Sequence, residues 1–370
     1  MTVSAFSSAP AMASGDPEPV QLLTPEGERV EHPDYDLDLS TEEIRSLYRD
    51  LVIVRVLDTE AFSLMRQGEL GTWASLLGQE AAQVGSGRAL EPDDMVFPSY
   101  REHGVAWCRG VDPVKPLGVF RGTDFGGWDP AEHNFALYTI VIGSHTLHAT
   151  GYAMGVLKDR WPDGRYPATV AYFGDGATSQ GDVTEALVWA SSFNAPVLFF
   201  CQNNQWAISE PTQRQSRIPL YRRAHGFGLT GIRVDGNDVL ACLAVTRKAL
   251  EEVRSGQGPQ LIEAYTYRMA PHAGADDPSR YRMQAELEEW KLKDPIERVR
   301  AYLARSGGGD DAFFKSVDAE AADHAADMRR KCLALPDPQV PAIFEHIYAE
   351  PHALLREEQE YLTAYLDSLA

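Results

Sequence analysis

Two polar positions follow two apolar stretches of this sequence, and both carry residue types that bind cations. Asp175 lies in a Gly-Asp-Gly turn directly after the apolar run 168–173, and Asn204 follows the apolar run 197–201. Carboxylate and amide oxygens are ligands that Mg²⁺ prefers, with phosphate and water completing its shell. Glycines beside a carboxylate let the backbone turn tightly and approach a phosphate closely. The same residue types are common in ordinary turns, so a purely structural interpretation is an alternative.

The elements around these two positions predict that they meet. Apolar and β-branched residues predict buried strands over 168–173 and 197–201, and apolar residues at helical spacing predict a helix over 183–192. A strand, a crossover helix and a strand within about thirty residues form a βαβ unit with parallel strands. Asp175 and Asn204 are therefore predicted at the same carboxyl edge of a sheet, where open α/β sheets bind ligands.

Several words of the sequence resemble a known family. YFGDGATSQGD and PVLFFCQNNQWAISEP resemble the α subunit of the E1 component of 2-oxo acid dehydrogenase complexes, and GDG followed by 26 residues and NN is similar to the thiamin-diphosphate-binding motif. The resemblance covers about residues 40–365, and the word H-x3-DD-x-SRYR is nearest to the branched-chain members. It implies the cofactors thiamin diphosphate and Mg²⁺. It also implies a doubly wound α/β fold, with a mostly parallel sheet of the thiamin-diphosphate-binding type and a helical C-terminal part.

Two further stretches supply candidate groups for the cofactor. Arg101 has a planar fork that suits a phosphate, although a lone arginine is more often solvated or paired at the surface. The resemblance implies that Tyr100 and Arg101 bind the diphosphate. A strand, a glycine turn and a helix are predicted over 138–157, and such a turn before a helix is an anion site in principle. The resemblance implies that this turn touches the pyrimidine ring, with Ser144 and Thr146 as candidates.

A loop after the last predicted strand carries His272. Prolines and glycines exclude regular structure over 268–282. Because the loop leaves the carboxyl edge, His272 is predicted near Asp175, where an imidazole suits proton or diphosphate chemistry. The resemblance implies a catalytic histidine on a mobile loop here. Ala273 stands where animal mitochondrial relatives have a serine that a kinase switches off, so that switch is expected to be absent.

The resemblance assigns these positions to one site. The side chains of Asp175 and Asn204 and the backbone carbonyl of Trp206 hold Mg²⁺, and His272 is the catalytic residue. Gln202 stands where the family usually has a diphosphate-binding arginine, and the role of His133 is left open. The implied cofactor-binding residues are Tyr100, Arg101, Ser144, Thr146, Gly174, Asp175, Gly176, Ala177, Asn204 and His272.

The implied activity is shared with other chains. The resemblance implies oxidative decarboxylation of a branched-chain 2-oxo acid and acyl transfer to a lipoyl-bearing E2 core, within an α2β2 assembly whose β subunit carries the activating glutamate. Pyruvate and acetoin are alternative substrates, because a methylene or two changes selectivity only modestly. A non-catalytic α/β protein that binds a phosphate ligand is a farther alternative. A dinucleotide-binding version of it would need a GxGxxG turn after a strand, which the sequence lacks.

Composition restricts the partners and the compartment. A net charge of −20 opposes binding to nucleic acid or an anionic membrane, and no apolar run reaches the roughly 18 residues of a membrane span. Four cysteines without CxxC spacing favour free thiols in the cytoplasm. Residues 1–35 are rich in Ala, Ser, Pro and acidic residues, which predicts a disordered arm, with residues 36–370 as a single domain.

The rest of the chain predicts elements that complete the sheet. A capping box at Ser40 and Glu43 opens a helix that Gly68 closes. The basic stretch 212–230 is predicted as a loop whose arginines are solvated or contact another subunit. The remaining predictions are helices over 79–89, 239–254, 284–291, 295–304, 318–333 and 351–369, and strands over 95–97, 232–234 and 261–266.

Overall fold

The computed structural model describes residues 17–124, 126–159, 161, 164–345 and 347–369. The strands of this part of the chain are β1 (Met95–Phe97), β2 (Thr169–Gly174), β3 (Val197–Asn203), β4 (Trp206–Ala207), β5 (Glu210–Pro211), β6 (Thr230–Asp235) and β7 (Gln260–Tyr265). Five of them pair in parallel in the order β1-β2-β3-β7-β6, while β4 and β5 form a small antiparallel hairpin. The parallel sheet confirms the predicted fold class.

Helices cover both faces of this sheet. Those of the described residues are α1 (Thr41–Arg66), α2 (Glu80–Gly87), α3 (His103–Cys108), α4 (Val114–Arg121), α5 (Pro130–His133), α6 (Ser144–Val156), α7 (Gly181–Phe193), α8 (Thr212–Gln215), α9 (Leu220–His225), α10 (Val239–Arg254), α11 (Gln284–Lys291), α12 (Pro295–Arg305), α13 (Asp311–Leu333) and α14 (Ala353–Asp367). None of the helices in these ranges is long and apolar enough to cross a membrane.

Alternate residues of β2 enter two different cores. Val170 and Tyr172 pack on the face that α1, α2 and α10 cover, whereas Ala171 and Phe173 pack on the face that α6 and α7 cover. This alternation follows from the two-residue period of a strand. Because helices bury both faces, the strand is apolar throughout instead of alternating with polar residues.

The register of the central strands brings the two polar positions together. Gly174 at the end of β2 is the partner of Gln202 in β3, so Asp175 and Asn204 both lie just beyond the paired ends. The predicted meeting at the carboxyl edge is confirmed.

Helix boundaries follow from the caps at their ends. The predicted capping box is present: Ser40 Oγ accepts from the Glu43 backbone N–H at 3.3 Å, and Glu43 Oε2 accepts from the Ser40 N–H at 2.8 Å. Helix α13 begins at Asp311, seven residues before the predicted start, because the Asp310 carboxylate accepts from the Phe313 N–H at 2.8 Å and caps it there.

Two predicted segments differ in the structure. No strand forms within 138–143. Phe135 already makes a parallel bridge to Val96 on the outer edge of β1, and the apolar side chains of Ile140 and Val141 are exposed. The stretch 212–230 is not a continuous loop, since it contains the short helices α8 and α9.

The prediction of a disordered arm over 1–35 is wrong for residues 17–35, which pack against the sheet. Val20 forms a parallel bridge with Val234, and the N–H groups of Leu22 and Leu23 donate to Asp238 Oδ2 at 2.7 and 2.6 Å. Buried apolar side chains, those of Val20, Leu22 and Leu23, and these backbone contacts hold the segment on the fold. Residues 1–16 lie outside the described residues, and the single domain over 36–370 stays a prediction.

Candidate functional site

A cavity of about 220 Å³ lies at the carboxyl edge of β2 and β3. Its walls come from the ends of these strands, from the stretch before α3, from the turn before α6 and from the loop that follows β7. The predicted site residues that line it are Tyr100, Arg101, Gly174, Asp175, Gly176, Ala177, Asn204, Trp206 and His272. We call it the edge pocket.

Three oxygens converge in the edge pocket. One end of the Asn204 side-chain amide lies 3.3 Å from Asp175 Oδ1 and 3.2 Å from the carbonyl oxygen of Trp206. The other end lies 2.6 Å from Gln79 Oε1, to which Nδ2 donates. With the nitrogen at Gln79, the Asn204 oxygen faces the two other oxygens, and no hydrogen bond joins it to either of them. It accepts from the Trp206 backbone N–H at 3.3 Å. Such a group of acceptors is stabilised by a cation.

The backbone that places Trp206 adopts an unusual conformation. Gln205 has a φ of 71°, in the left-handed region that non-glycine residues seldom adopt. Its side chain is held on both sides, since Nε2 donates to the Thr266 carbonyl at 2.8 Å and Oε1 accepts from the Tyr265 hydroxyl at 3.2 Å. The turn directs the Trp206 carbonyl toward Asn204, and the hairpin β4–β5 follows it.

The Asp175 carboxylate is buried and oriented. Its Oδ2 accepts from the Thr212 hydroxyl at 2.9 Å and from Gln215 Nε2 at 3.1 Å, both on α8. These bonds leave Oδ1 facing Asn204. Burial raises the pKa of the Asp175 carboxyl, so its negative charge is not compensated by the protein alone.

The donor set fits a hard divalent cation. Octahedral Mg²⁺ at 2.0–2.1 Å puts adjacent oxygens about 3 Å apart, close to the spacing of these three. A carboxylate, an amide and a carbonyl oxygen suit Mg²⁺ better than a soft metal. No cluster of three His, Cys, Asp or Glu that would hold another metal occurs among the described residues.

Two guanidinium groups fix the state of His272. Its Nδ1 lies 3.3 Å from Arg101 Nη2 and 3.2 Å from Arg268 Nη1, and its Nε2 lies 3.5 Å from the Tyr100 hydroxyl. Burial, followed by these two positive charges, lowers the pKa of His272 to about 3. The ring is therefore neutral. Because Arg101 and Arg268 only donate, Nδ1 is the acceptor and the proton is on Nε2, on the side of Tyr100.

Arg268 is a site residue that the sequence analysis missed. It is fully buried, and its two terminal nitrogens donate to the carbonyls of Trp206 at 2.6 Å and Ile208 at 2.7 Å. Burial, together with the charge of Arg101, lowers its pKa to about 10, so it stays charged at neutral pH. With Arg101, which is also buried, it gives one wall of the edge pocket a positive charge.

Gln202 belongs to a buried amide network beneath the pocket. Its Nε2 donates to Glu102 Oε1 at 2.7 Å, and its Oε1 accepts from Gln79 and Gln83 at 3.2 and 3.0 Å. Burial raises the pKa of Glu102. Gln202 is a neutral amide and adds no charge, so the positive charge of the pocket comes from Arg101 and Arg268.

Three predicted or open positions do not line the edge pocket. The Ser144 hydroxyl donates to the Val141 carbonyl at 2.9 Å, and the Thr146 hydroxyl donates to the Gly143 carbonyl at 2.6 Å. The pocket is lined at this turn by Gly143 and its neighbours Ile142 and His145 instead, so the roles of Ser144 and Thr146 stay predictions. His133 lies on α5, where its Nδ1 is 3.2 Å from the Arg109 carbonyl, away from the pocket.

Comparison with known proteins identifies the family. The family described as "Dehydrogenase E1 component" matches residues 48–340. The chain belongs to the dehydrogenase E1 component family. This E1 chain is 45% identical over 356 residues to a Mycobacterium tuberculosis protein named 3-methyl-2-oxobutanoate dehydrogenase subunit alpha, with 96% of each chain covered.

Other relatives of the E1 chain carry a different name. It is 37% identical over 345 residues to a pyruvate dehydrogenase E1 component subunit alpha of Bacillus cereus, with 93% of this chain and 92% of the relative covered. It is 36% identical over 334 residues to the protein of the same name from Acholeplasma laidlawii, with 90% and 96% covered. The family and its relatives confirm the resemblance drawn from the GDG and NN words, and the E1 family implies thiamin diphosphate as cofactor.

Proposed function

We propose that this chain is the α subunit of a branched-chain 2-oxo acid dehydrogenase E1 component. With a β subunit it decarboxylates a branched-chain 2-oxo acid such as 3-methyl-2-oxobutanoate and transfers the acyl group to lipoyl-bearing E2. The relative of that name is 45% identical over 96% of both chains, against 36–37% for the pyruvate dehydrogenase relatives described above.

The oxygen triad beside two buried arginines is the observation that carries this proposal. Asp175, Asn204 and the Trp206 carbonyl would hold Mg²⁺, and Arg101 and Arg268 would face the negative charge of a diphosphate. When bound, thiamin diphosphate supplies the carbon nucleophile and the electron sink for decarboxylation. The protein supplies binding, orientation and charge.

His272 contributes as a neutral donor. Arg101 and Arg268 occupy its Nδ1, so its Nε2–H is presented beside Tyr100. A donor fixed in this tautomer can hydrogen-bond an anionic oxygen of the diphosphate or of the substrate without adding a full charge. The backbone N–H of His272 donates to Asp276 Oδ2 at 2.7 Å, which holds the loop in place.

The edge pocket is one half of an active site. Among the described residues, the carboxylates that line it are Asp175 and Glu102, and both are engaged by hydrogen bonds. The glutamate that activates the cofactor then comes from the β subunit, in an α2β2 assembly that docks to the E2 core. Ile142 in the pocket wall is exposed, and further exposed apolar side chains that suit a subunit contact lie before α6, on α6 and on α7: Leu137, Ile140, Val141, Tyr152, Val188, Trp189 and Phe193.

We also infer a cytoplasmic location. All four cysteines are free thiols, and Cys201 and Cys242 are fully buried. Thiols without disulfides suit a reducing compartment. Cell fractionation with an antibody against this chain tests the location, and recovery in a membrane or secreted fraction contradicts it.

Reconstitution with the β subunit tests the activity. The two chains are co-expressed, supplied with thiamin diphosphate and Mg²⁺, and assayed for decarboxylation of 3-methyl-2-oxobutanoate and of pyruvate. We expect a higher kcat/KM for the branched substrate and no activity from the α chain alone. Faster turnover of pyruvate would assign the chain to the pyruvate enzyme instead, and absence of cofactor binding by the pair would refute both assignments.

A further inference from the structure

A buried carboxylate outside the edge pocket holds a chain segment that supports the pocket wall. Asp58 lies on α1 and does not line the edge pocket. Its Oδ1 accepts from Trp73 Nε1 at 2.8 Å and from the Leu76 backbone N–H at 3.1 Å, and its Oδ2 accepts from the Ser75 hydroxyl. Three donors from one short segment therefore meet at a single carboxylate. We call residues 73–77, between α1 and α2, the anchor segment.

The Asp58 carboxylate holds the anchor segment as an ionised group. Burial raises the pKa of the Asp58 carboxyl to about 6, and the hydrogen bonds from the Ser75 hydroxyl and the Trp73 indole oppose this rise. The group is therefore mostly ionised at pH 7, the form in which both oxygens accept hydrogen bonds. Hydrogen bonds to an ionised acceptor are roughly twice as strong as neutral ones, so Asp58 fixes the backbone of the anchor segment firmly.

Two carbonyls of the anchor segment hold side chains that follow β1. The Ser75 carbonyl accepts from Arg101 Nη1 at 2.5 Å. The neighbouring Ala74 carbonyl lies 3.0 Å from His103 Nε2, and the Trp73 indole stacks on the His103 ring with ring centroids 4.1 Å apart. Because Arg101 is the buried arginine in the wall of the edge pocket, the position of its guanidinium depends on the Ser75 carbonyl.

The anchor segment also holds the loop that carries His272. The Gly274 N–H donates to the Trp73 carbonyl at 3.3 Å, and the Met269 N–H donates to the Leu77 carbonyl at 3.0 Å. These two bonds lie on either side of His272 in the chain. The loop is therefore fastened to the anchor segment at two points.

We propose that Asp58 is a positioning residue for cofactor binding, which acts through the anchor segment on Arg101. This inference rests on the proposed function, because it takes the diphosphate of the cofactor to lie beside Arg101. It extends that function to a carboxylate that does not touch the pocket. When the Ser75 carbonyl is displaced, the Arg101 fork loses an acceptor and is no longer preorganised for an oxyanion. Ordering one flexible side chain on binding costs roughly two- to tenfold in affinity.

The test compares two buried carboxylates of α1. Wild type, Asp58→Ala and Asp50→Ala are each reconstituted with the β subunit and titrated with thiamin diphosphate at fixed Mg²⁺. Asp50 is the matched control, because it is also buried and also accepts from a tryptophan indole, but its partners Arg88 and Trp107 lie outside the anchor segment. We expect Kd to rise at least fivefold in Asp58→Ala and less than twofold in Asp50→Ala. Equal effects of the two substitutions would overturn the proposal.

A double-mutant cycle shows whether the effect passes through Arg101. Substitutions that act through one shared group are not additive, whereas a general loss of stability would add to the loss of the arginine. In an Arg101→Gln background, Asp58→Ala is therefore expected to raise Kd less than twofold. An undiminished rise in that background would overturn the proposed route.

A milder substitution serves where Asp58→Ala folds poorly. Ser75→Ala removes the hydroxyl that donates to Asp58 and keeps the carbonyl that Arg101 uses. We expect it to raise Kd at least threefold, and wild-type affinity in this variant would contradict the role of the anchor segment.

Hydrogen exchange gives a readout on the cofactor-free pair. Amide exchange over residues 269–274 is expected to be faster in Asp58→Ala than in Asp50→Ala, because the loop loses its two fastenings. Equal exchange in the two variants would overturn the proposal. Failure of the proposed function appears separately, as absence of thiamin diphosphate binding by the wild-type pair.

Discussion

Replacement of Asp175 by asparagine is expected to stabilise the cofactor-free chain and to weaken cofactor binding. Burial raises the pKa of this carboxyl, so the ionised form costs folding free energy at any pH above the raised pKa, and stability is recovered as the pH falls through it. An amide of the same shape removes that cost. Thr212 and Gln215 can still bond to it, so we expect the free energy of unfolding to rise by about 1 kcal/mol at pH 7.

Cofactor binding by the same variant is expected to fall. The gross attraction between a dication and a carboxylate about 2.1 Å apart is about 16 kcal/mol at an effective dielectric constant of 20, and dehydration of the ion offsets most of it. If about a sixth of this attraction, about 2.7 kcal/mol, remains as net binding free energy, its loss in the variant corresponds to a roughly hundredfold increase in Kd for thiamin diphosphate in the presence of Mg²⁺.

Two measurements on Asp175→Asn separate these effects. Urea unfolding of the cofactor-free chain reports stability, and fluorescence titration of thiamin diphosphate at fixed Mg²⁺ reports affinity. Asp159→Asn, at an exposed position, is the matched control and is expected to change neither quantity. A variant with unchanged affinity would refute the ligand assignment, and a destabilised free chain would refute the claim that the buried charge is uncompensated.

Three further perturbations test the neighbouring groups. Arg268→Gln removes the donors to two backbone carbonyls and is expected to lower the free energy of unfolding by about 2–4 kcal/mol. Urea unfolding measures this change, and an unchanged urea midpoint would contradict the structural role of Arg268. Because the pKa of His272 is lowered to about 3, its imidazole ¹⁵N signals are expected to stay those of the neutral ring down to about pH 4, and the residue lowers the stability of the fold as the pH falls below about 6.5. An imidazole titration midpoint near pH 6.5 would contradict the effect of burial and of Arg101 and Arg268. Gly176→Ala puts a Cβ 2.7 Å from the Ala207 methyl and is expected to weaken cofactor binding at least tenfold by displacing the hairpin β4–β5. Cofactor affinity equal to that of the wild type would contradict this prediction.

The sequence predicted the parts of the site that local pattern controls. Apolar runs over β2 and β3 are continuous because both faces are buried, and the rule that parallel strands share an edge placed Asp175 beside Asn204. The loop carrying His272 followed from its prolines and from the strand before it. These inferences need only neighbouring residues and general topology.

The parts that were missed depend on distant chain segments. Arg268 is buried because carbonyls of Trp206 and Ile208, about sixty residues away, accept its hydrogen bonds, and arginine alone predicts the surface. One signal was available: Arg268 follows β7 by three residues and precedes His272 by four. The apolar stretch 138–142 has strand composition, yet residues 134–136 already bond to the outer edge of β1.

The hydrogen bonds from Leu22 and Leu23 to Asp238 affect the order in which the chain folds during synthesis. The carboxylate that receives the N–H groups of Leu22 and Leu23 is made 216 and 215 residues after them. At about 5–20 residues per second, the ribosome needs about 10–40 s to produce that partner. During this interval two leucines that end fully buried remain undocked, so the segment that carries them joins the fold only after β1, β2 and β3 have been translated.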